Sequence, residues 1–119
     1  MKRINEFDSA LESTQTAYNS GICGLLLKSY ENTIEAKNEL LDICDVIWEH
    51  DYDSLIRDMK KYGINEFTIS STFSTLFKAV QALIGRGCTL QGMKNVKDRF
   101  PRWTGGEYDL HPALLMKIK

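Results

Sequence analysis

The sequence predicts an α+β protein: a helical N-terminal half packed on a small three-stranded mixed sheet. Two observations carry that expectation. Apolar residues recur at helical spacing as far as about residue 60, and beyond it they switch to short β-branched and alternating runs. The length of 119 residues, with 43% hydrophobic and 26% charged residues, suits one folded domain over 1–119. Its helical half is 1–62, and 63–119 reads as β-α-β-β.

The first helix is drawn from Ile4, Phe7, Leu11 and Tyr18, spaced three, four and seven apart. It weakens at Asn19-Ser20-Gly21, where turn formers meet a glycine. A second, longer helix follows from one stripe of Leu26, Tyr30, Ile34, Leu40, Leu41, Cys44, Ile47 and Trp48. No proline interrupts it before His50. Asp51 then offers an N-cap for a third helix with the face Tyr52, Leu55, Ile56 and Met59. Lys60 and Lys61 suit its negative C-terminal end, and Gly63 suits a left-handed cap.

The C-terminal half opens with a strand at Phe67-Thr68-Ile69. Ser70 or Ser71 caps the next helix, whose face is Phe73, Leu76, Phe77, Val80, Leu83 and Ile84. Gly85 and Gly87 end it. Cys88–Val96 is a second strand with a bulge at Gly92, and Leu114, Met116 and Ile118 alternate along a third. Between them, 100–109 is turn-rich, with Pro101 and Gly105-Gly106. The strand-helix-strand unit places the first two strands parallel and the last two in an antiparallel hairpin.

Composition bounds the function. A net charge of −1 argues against a generally basic nucleic-acid binder and against a wholly acidic nucleic-acid mimic. Cys23, Cys44 and Cys88 are an odd set at unrelated spacings, which reads as free thiols rather than a disulfide framework or a zinc site. The basic start Met1-Lys2-Arg3 is followed by no apolar stretch of signal-peptide length, and Leu25-Leu26-Leu27 is far too short to cross a bilayer. A cytoplasmic protein without cofactor or metal is expected.

The run Tyr62-Gly63-Ile64-Asn65-Glu66-Phe67-Thr68-Ile69-Ser70 leads into an amphipathic helix. After it come Gly87-Cys88, Leu90-Gln91-Gly92-Met93, Arg102-Trp103-Thr104-Gly105-Gly106 and Pro112-Ala113-Leu114-Leu115-Met116-Lys117. This pattern resembles small uncharacterised proteins carried on plasmids, prophages and conjugative elements of Firmicutes and related gut bacteria. The resemblance spans roughly residues 60–119 and brings no catalytic residues with it. It implies a mobile-element origin. Accessory proteins of that origin often antagonise host defences, as anti-CRISPR proteins do.

Enzyme chemistry finds little footing. His50 stands beside Asp51 and Asp53 at a helix junction, where such residues are ordinary caps, and His111 precedes Pro112 at a strand entry. Cys44 is expected in the core, Cys88 half-buried, and Cys23 the most exposed of the three. Gly85, Gly87 and Gly92 follow a helix and enter a strand, the reverse of a phosphate-cradling loop.

Charge is distributed unevenly. Between Glu31 and Asp58 nine carboxylates face only Lys37 and Arg57, a local −7. Glu31, Glu35, Glu39, Asp42 and Glu49 are expected along one side of the second helix. There they could present carboxylates to the basic groove of a nucleic-acid-handling host protein, a CRISPR effector nuclease among them. Between Arg86 and Arg102 five cations face only Asp98, a local +4. Lys94, Lys97, Arg99, Arg102 and Trp103 form the alternative, a nucleic-acid surface of cations with aromatics interleaved. Each charge run also has a plainer reading, as a solvated helix face and a solvated loop. The expectation is a non-enzymatic accessory protein that binds and inhibits a host protein.

Overall fold

The computed structural model of the chain describes residues 1–12, 21–71, 73–101 and 108–119. In chain order these form α1 (Asn5–Glu12), α2 (Gly24–Ala36), β1 (Leu41–Ile43), a 3-10 turn (Glu49–Asp51), α3 (Tyr52–Lys61), β2 (Glu66–Ile69), α4 (Leu76–Gly85), β3 (Cys88–Pro101) and β4 (Tyr108–Ile118). The α+β class holds, but the mixed sheet has four strands, in the order β1-β2-β4-β3.

The extra strand comes out of the expected long helix. That helix stops at Ala36, because Lys37 turns left-handed (φ 59°). Its N–H bonds Ile34 O, and the Asn38 N–H bonds Thr33 O at 3.1 Å, which satisfies the last carbonyls. Leu40, Leu41, Cys44, Ile47 and Trp48 kept a helical spacing by coincidence. Leu41 and Ile43 instead sit on a buried strand, and Trp48 is exposed.

β1 and β2 are parallel, joined through α3. β4 is antiparallel to both β2 and β3 and lies between them. The strands flanking α4, β2 and β3, are therefore parallel as expected, but not neighbours. The hairpin of β3 and β4 runs much further than expected, pairing out to Pro101 and Tyr108, and the rest of the expected turn-rich connection, 102–107, lies outside the described residues. Its register slips between Leu90 and Gly92, where Gly92 (φ 145°) supplies a backbone conformation that side chains resist.

Directly paired residues share a sheet face. Leu41, Ile43, Phe67, Ile69 and Met116 make the apolar face, each at most 1% exposed. Phe7 of α1 seals the adjoining helices, edge-on to Tyr30 at 5.1 Å and to Tyr62 at 4.7 Å. Each such ring pair adds about 0.5–1.5 kcal/mol beyond burial. The face of α3 is as expected, with Tyr52, Leu55, Ile56 and Met59 all buried. Asp51 stands before α3, but its carboxylate turns back to accept the Trp48 N–H at 3.3 Å rather than capping the helix.

The face of α4 is rotated from the expected one. Ala79 and Leu83 are buried, while Phe77 and Ile84 are exposed. Ser70 and Ser71 do not cap it, because their hydroxyls bond Asp42 and the Asp45 carbonyl. Helix α1 is described only to Glu12, so Tyr18 and Asn19-Ser20 lie outside the described residues.

Candidate functional site

The second sheet face is polar. On it Asp42 is only 6% exposed, and both carboxylate oxygens accept short hydroxyl hydrogen bonds. Thr68 Oγ1 donates to Oδ1 and Ser70 Oγ to Oδ2, each at 2.6 Å. A buried carboxylate needs such donors, since an unsatisfied one would be strongly unfavourable. The Asp42 N–H donates to Thr33 Oγ1 of α2 at 2.9 Å, so α2 covers the outer edge of β1.

The other edge of the sheet is drawn towards the same place. β1 and β3 are opposite edge strands, yet Asn38, just before β1, bonds Lys97 in β3 through both amide atoms. Beside it Lys94 Nζ meets Glu39 Oε2 at 3.2 Å. The sheet is thus bent until β3 closes over the end of α2.

This bend encloses a cleft of about 440 Å³ outside the carboxyl ends of β1 and β2. In open α/β sheets the carboxyl ends of parallel strands are where ligands settle. Lys28 and Asn32 of α2 form one wall, Lys97 the opposite one, and Asp42, Ser70 and His111 the floor. A neighbouring hollow shares Cys44, Asp45, Ser70 and His111 and runs on to Phe73 and Pro112. Lys28 Nζ and Asp45 Oδ2 pair across the lip at 3.2 Å. The Asp45 carboxyl is held below its usual range by the Val46 N–H and then by Lys28.

Cys44, expected in the core, stands in this cleft and is exposed, whereas Cys23 and Cys88 are buried. Asn32 Nδ2 donates to its Sγ at 3.4 Å. Desolvation, with Asp42 and Asp45 nearby, outweighs that bond and pushes the thiol up. The cleft was not legible in advance, because its residues come from four elements and the turns between them, and only β1's mistaken helix joined Asp42 to Cys44.

The expected acidic stripe is dispersed. Glu31 and Glu35 are exposed one turn apart on α2. Glu39 lies in the bend after α2, paired to Lys94. Asp42 is no surface carboxylate at all, because β1 turns it into the sheet. Glu49 sits on the separate 3-10 turn. Of the alternative set, Lys94 is engaged by Glu39 and Lys97 lines the cleft. Arg99 lies on the β3 backbone, and Arg102 and Trp103 lie outside the described residues.

His50 Nε2 lies 3.4 Å from Asp51 Oδ1 on the exposed 3-10 turn. Among the described residues no group of three or more His, Cys, Asp or Glu is placed to hold a metal ion. Among them, too, no helix is long and apolar enough to cross a membrane.

Residues 25–118 match the model of the family described as Domain of unknown function (DUF7698), and the chain belongs to that family. The match takes in α2 and β1 as well as the C-terminal half. No curated protein and no solved structure matches the chain.

Proposed function

We propose that this DUF7698 member is a non-enzymatic accessory protein that binds and inhibits a host protein, through the acidic strip of α2 at the lip of the cleft. The observation that carries the reading is the placement of Glu31 and Glu35. At 3.6 residues per turn they flank Lys28 and Asn32, the cleft-facing residues of the same helix. They therefore border a concavity, where two carboxylates can steer and orient a basic partner surface. The groove of a nucleic-acid-handling protein, such as a CRISPR effector nuclease, is the class of surface they fit. The resemblance over residues 60–119 to mobile-element proteins points the same way.

Binding is favoured over catalysis by the state of the cleft's own groups. The Cys44 thiol is pushed away from the thiolate that a nucleophile needs, and both Asp42 oxygens are engaged by hydroxyls.

The test is affinity capture from nuclease-treated host lysate, run beside the Glu31→Lys, Glu35→Lys variant. One abundant partner, lost in the variant and inhibited by the wild-type chain, is the expected result. The same proteins recovered on both columns would remove the reading. Oligonucleotide binding that weakens with salt would move it to the cations of β3.

A further inference from the structure

The cleft at the carboxyl ends of β1 and β2 has the size and the lining of a small-molecule site. Its volume of about 440 Å³ falls within the range of roughly 300–1,000 Å³ that such sites occupy. Four polar residues of its lining, Asn32, Thr33, Asn38 and Asp42, are buried. Past His111 the cleft runs on into the hollow beside Val46, Phe73 and Pro112. One end is therefore polar and the other largely apolar, and His111 lines both.

Formal charge does not choose the occupant, since Lys28 and Lys97 are matched by Asp42 and Asp45. Hydrogen-bonding capacity does. The acceptors of the cleft are already engaged within the fold. Asp42 takes a hydroxyl on each oxygen, Asp45 takes the Val46 N–H and Lys28, and Cys44 Sγ takes Asn32. The donors are less committed. An ammonium has three N–H donors, and Lys28 gives one of them to Asp45. Among the described residues Lys97 Nζ has no hydrogen-bond or ion-pair partner, and neither has the His111 ring.

A cation entering the cleft would compete for acceptors that the fold has used. An anion meets Lys28 on one wall, Lys97 on the other and His111 on the floor. We propose that the cleft binds a small organic anion, a phosphomonoester or a carboxylate. Its charged head sits between Lys28, Lys97 and His111, and its apolar body lies in the hollow of Phe73 and Pro112. The site is separate from the acidic strip of α2, because neither Glu31 nor Glu35 lines the cleft.

The experiment titrates phenyl phosphate and phenylacetate into the full chain, each beside its neutral counterpart, phenol and phenylethanol, and follows amide NMR. At least one anion is expected to shift the Lys28, Ser70, Lys97 and His111 amides saturably, and the tighter of the two names the head group. Its neutral counterpart is expected to bind at least about tenfold more weakly. Lys97→Gln keeps the main-chain bonds to Asn38, so the sheet stays closed, and it is expected to weaken the anion about tenfold. Lys78→Gln, at an exposed cation of α4, is expected to change nothing. No saturable shift from either anion, equal binding of the neutral counterparts, or an affinity untouched by Lys97→Gln would overturn the proposal.

Discussion

The side-chain amide of Asn38 closes on the main chain of Lys97, 59 residues away, in the manner of a strand. Its Nδ2 donates to Lys97 O at 2.9 Å, and its Oδ1 accepts the Lys97 N–H at 2.8 Å. One side chain thus satisfies both outward groups of an edge-strand residue and holds the bent sheet over the cleft. It also blunts that edge against pairing with another strand.

Asn38→Asp keeps the shape but replaces the donor with a second acceptor facing the Lys97 carbonyl. Leaving that carbonyl unpaired costs about 1–3 kcal/mol. A fall in Tm of about 4 °C for each kcal/mol follows, with faster amide exchange at Lys97. Lys97→Ala retains the main-chain bonds, so it should shift Tm by less than half as much. Equal losses in the two variants would mean that the amide clasp is not what holds the edge.

Asp42 makes a similar demand on the other wall. Asp42→Ala strips the short acceptor from both Thr68 and half-buried Ser70, leaving the buried Thr68 hydroxyl only its long 3.4 Å bond to the Leu41 carbonyl, a loss of about 1–3 kcal/mol. Asp42→Asn still offers one oxygen and should lose less. Chemical denaturation of the pair tests the order, which a surface role for Asp42 would not produce.

How much was legible in the sequence turns on which residues answer to local rules. The face of α3 was legible because its apolar spacing, its two terminal lysines and Gly63 (φ 75°) agree with one another. β1 was not. Three residues carry no periodicity of their own, and Leu40, Leu41, Cys44 and Ile47 mimic a helical stripe. Their strand state comes from pairing with 67–69, a distant segment. The bulge at Gly92 was visible from one glycine in a strand run, while the order β2-β4-β3 depends on long-range pairing that no local pattern encodes. The candidate site inherits these errors: Asp42 and Cys44 exchanged roles once β1 replaced the helix.

The exposed ring of Phe77 and the buried ring of Phe7 separate surface from core in one experiment. Phe7 is 0% exposed, and Phe7→Ala should cost about 3–5 kcal/mol. Phe77→Ser should stay within about 0.5 kcal/mol. Urea midpoints at constant slope provide the reading, and a large loss at Phe77 would show that its flank is covered in solution.

Acid stability has an identifiable contributor in Asp8. Tyr30 Oη donates to its Oδ1 at 2.7 Å, and Arg3 Nη2 approaches the same oxygen at 2.9 Å. The Tyr30 bond, and then the Arg3 bond, hold the carboxyl below its usual value. A folded carboxyl with a lowered pKa binds protons less readily than the unfolded one, so it stabilises the fold above about pH 4. That contribution is lost as pH falls through the lowered value. Asp8→Asn should therefore be destabilising at neutral pH and show a shallower loss between neutral and strongly acid solution. Parallel pH profiles for the two proteins would count against it.

Cys44 unites exposure with low reactivity, and the two can be measured together. The thiol stands in the cleft, but desolvation first, and then Asp42 and Asp45, push its pKa above the ordinary thiol value. Only the thiolate alkylates, so the rate at neutral pH should fall below that of a free cysteine and rise at a higher pH midpoint. Asp45→Asn removes one of the opposing charges and should move that midpoint downward. Cys23 and Cys88, buried in the fold, should react only after unfolding. Rapid iodoacetamide labelling of Cys44 at pH 7, unaffected by Asp45→Asn, would contradict the electrostatics and reopen the cleft to nucleophilic chemistry.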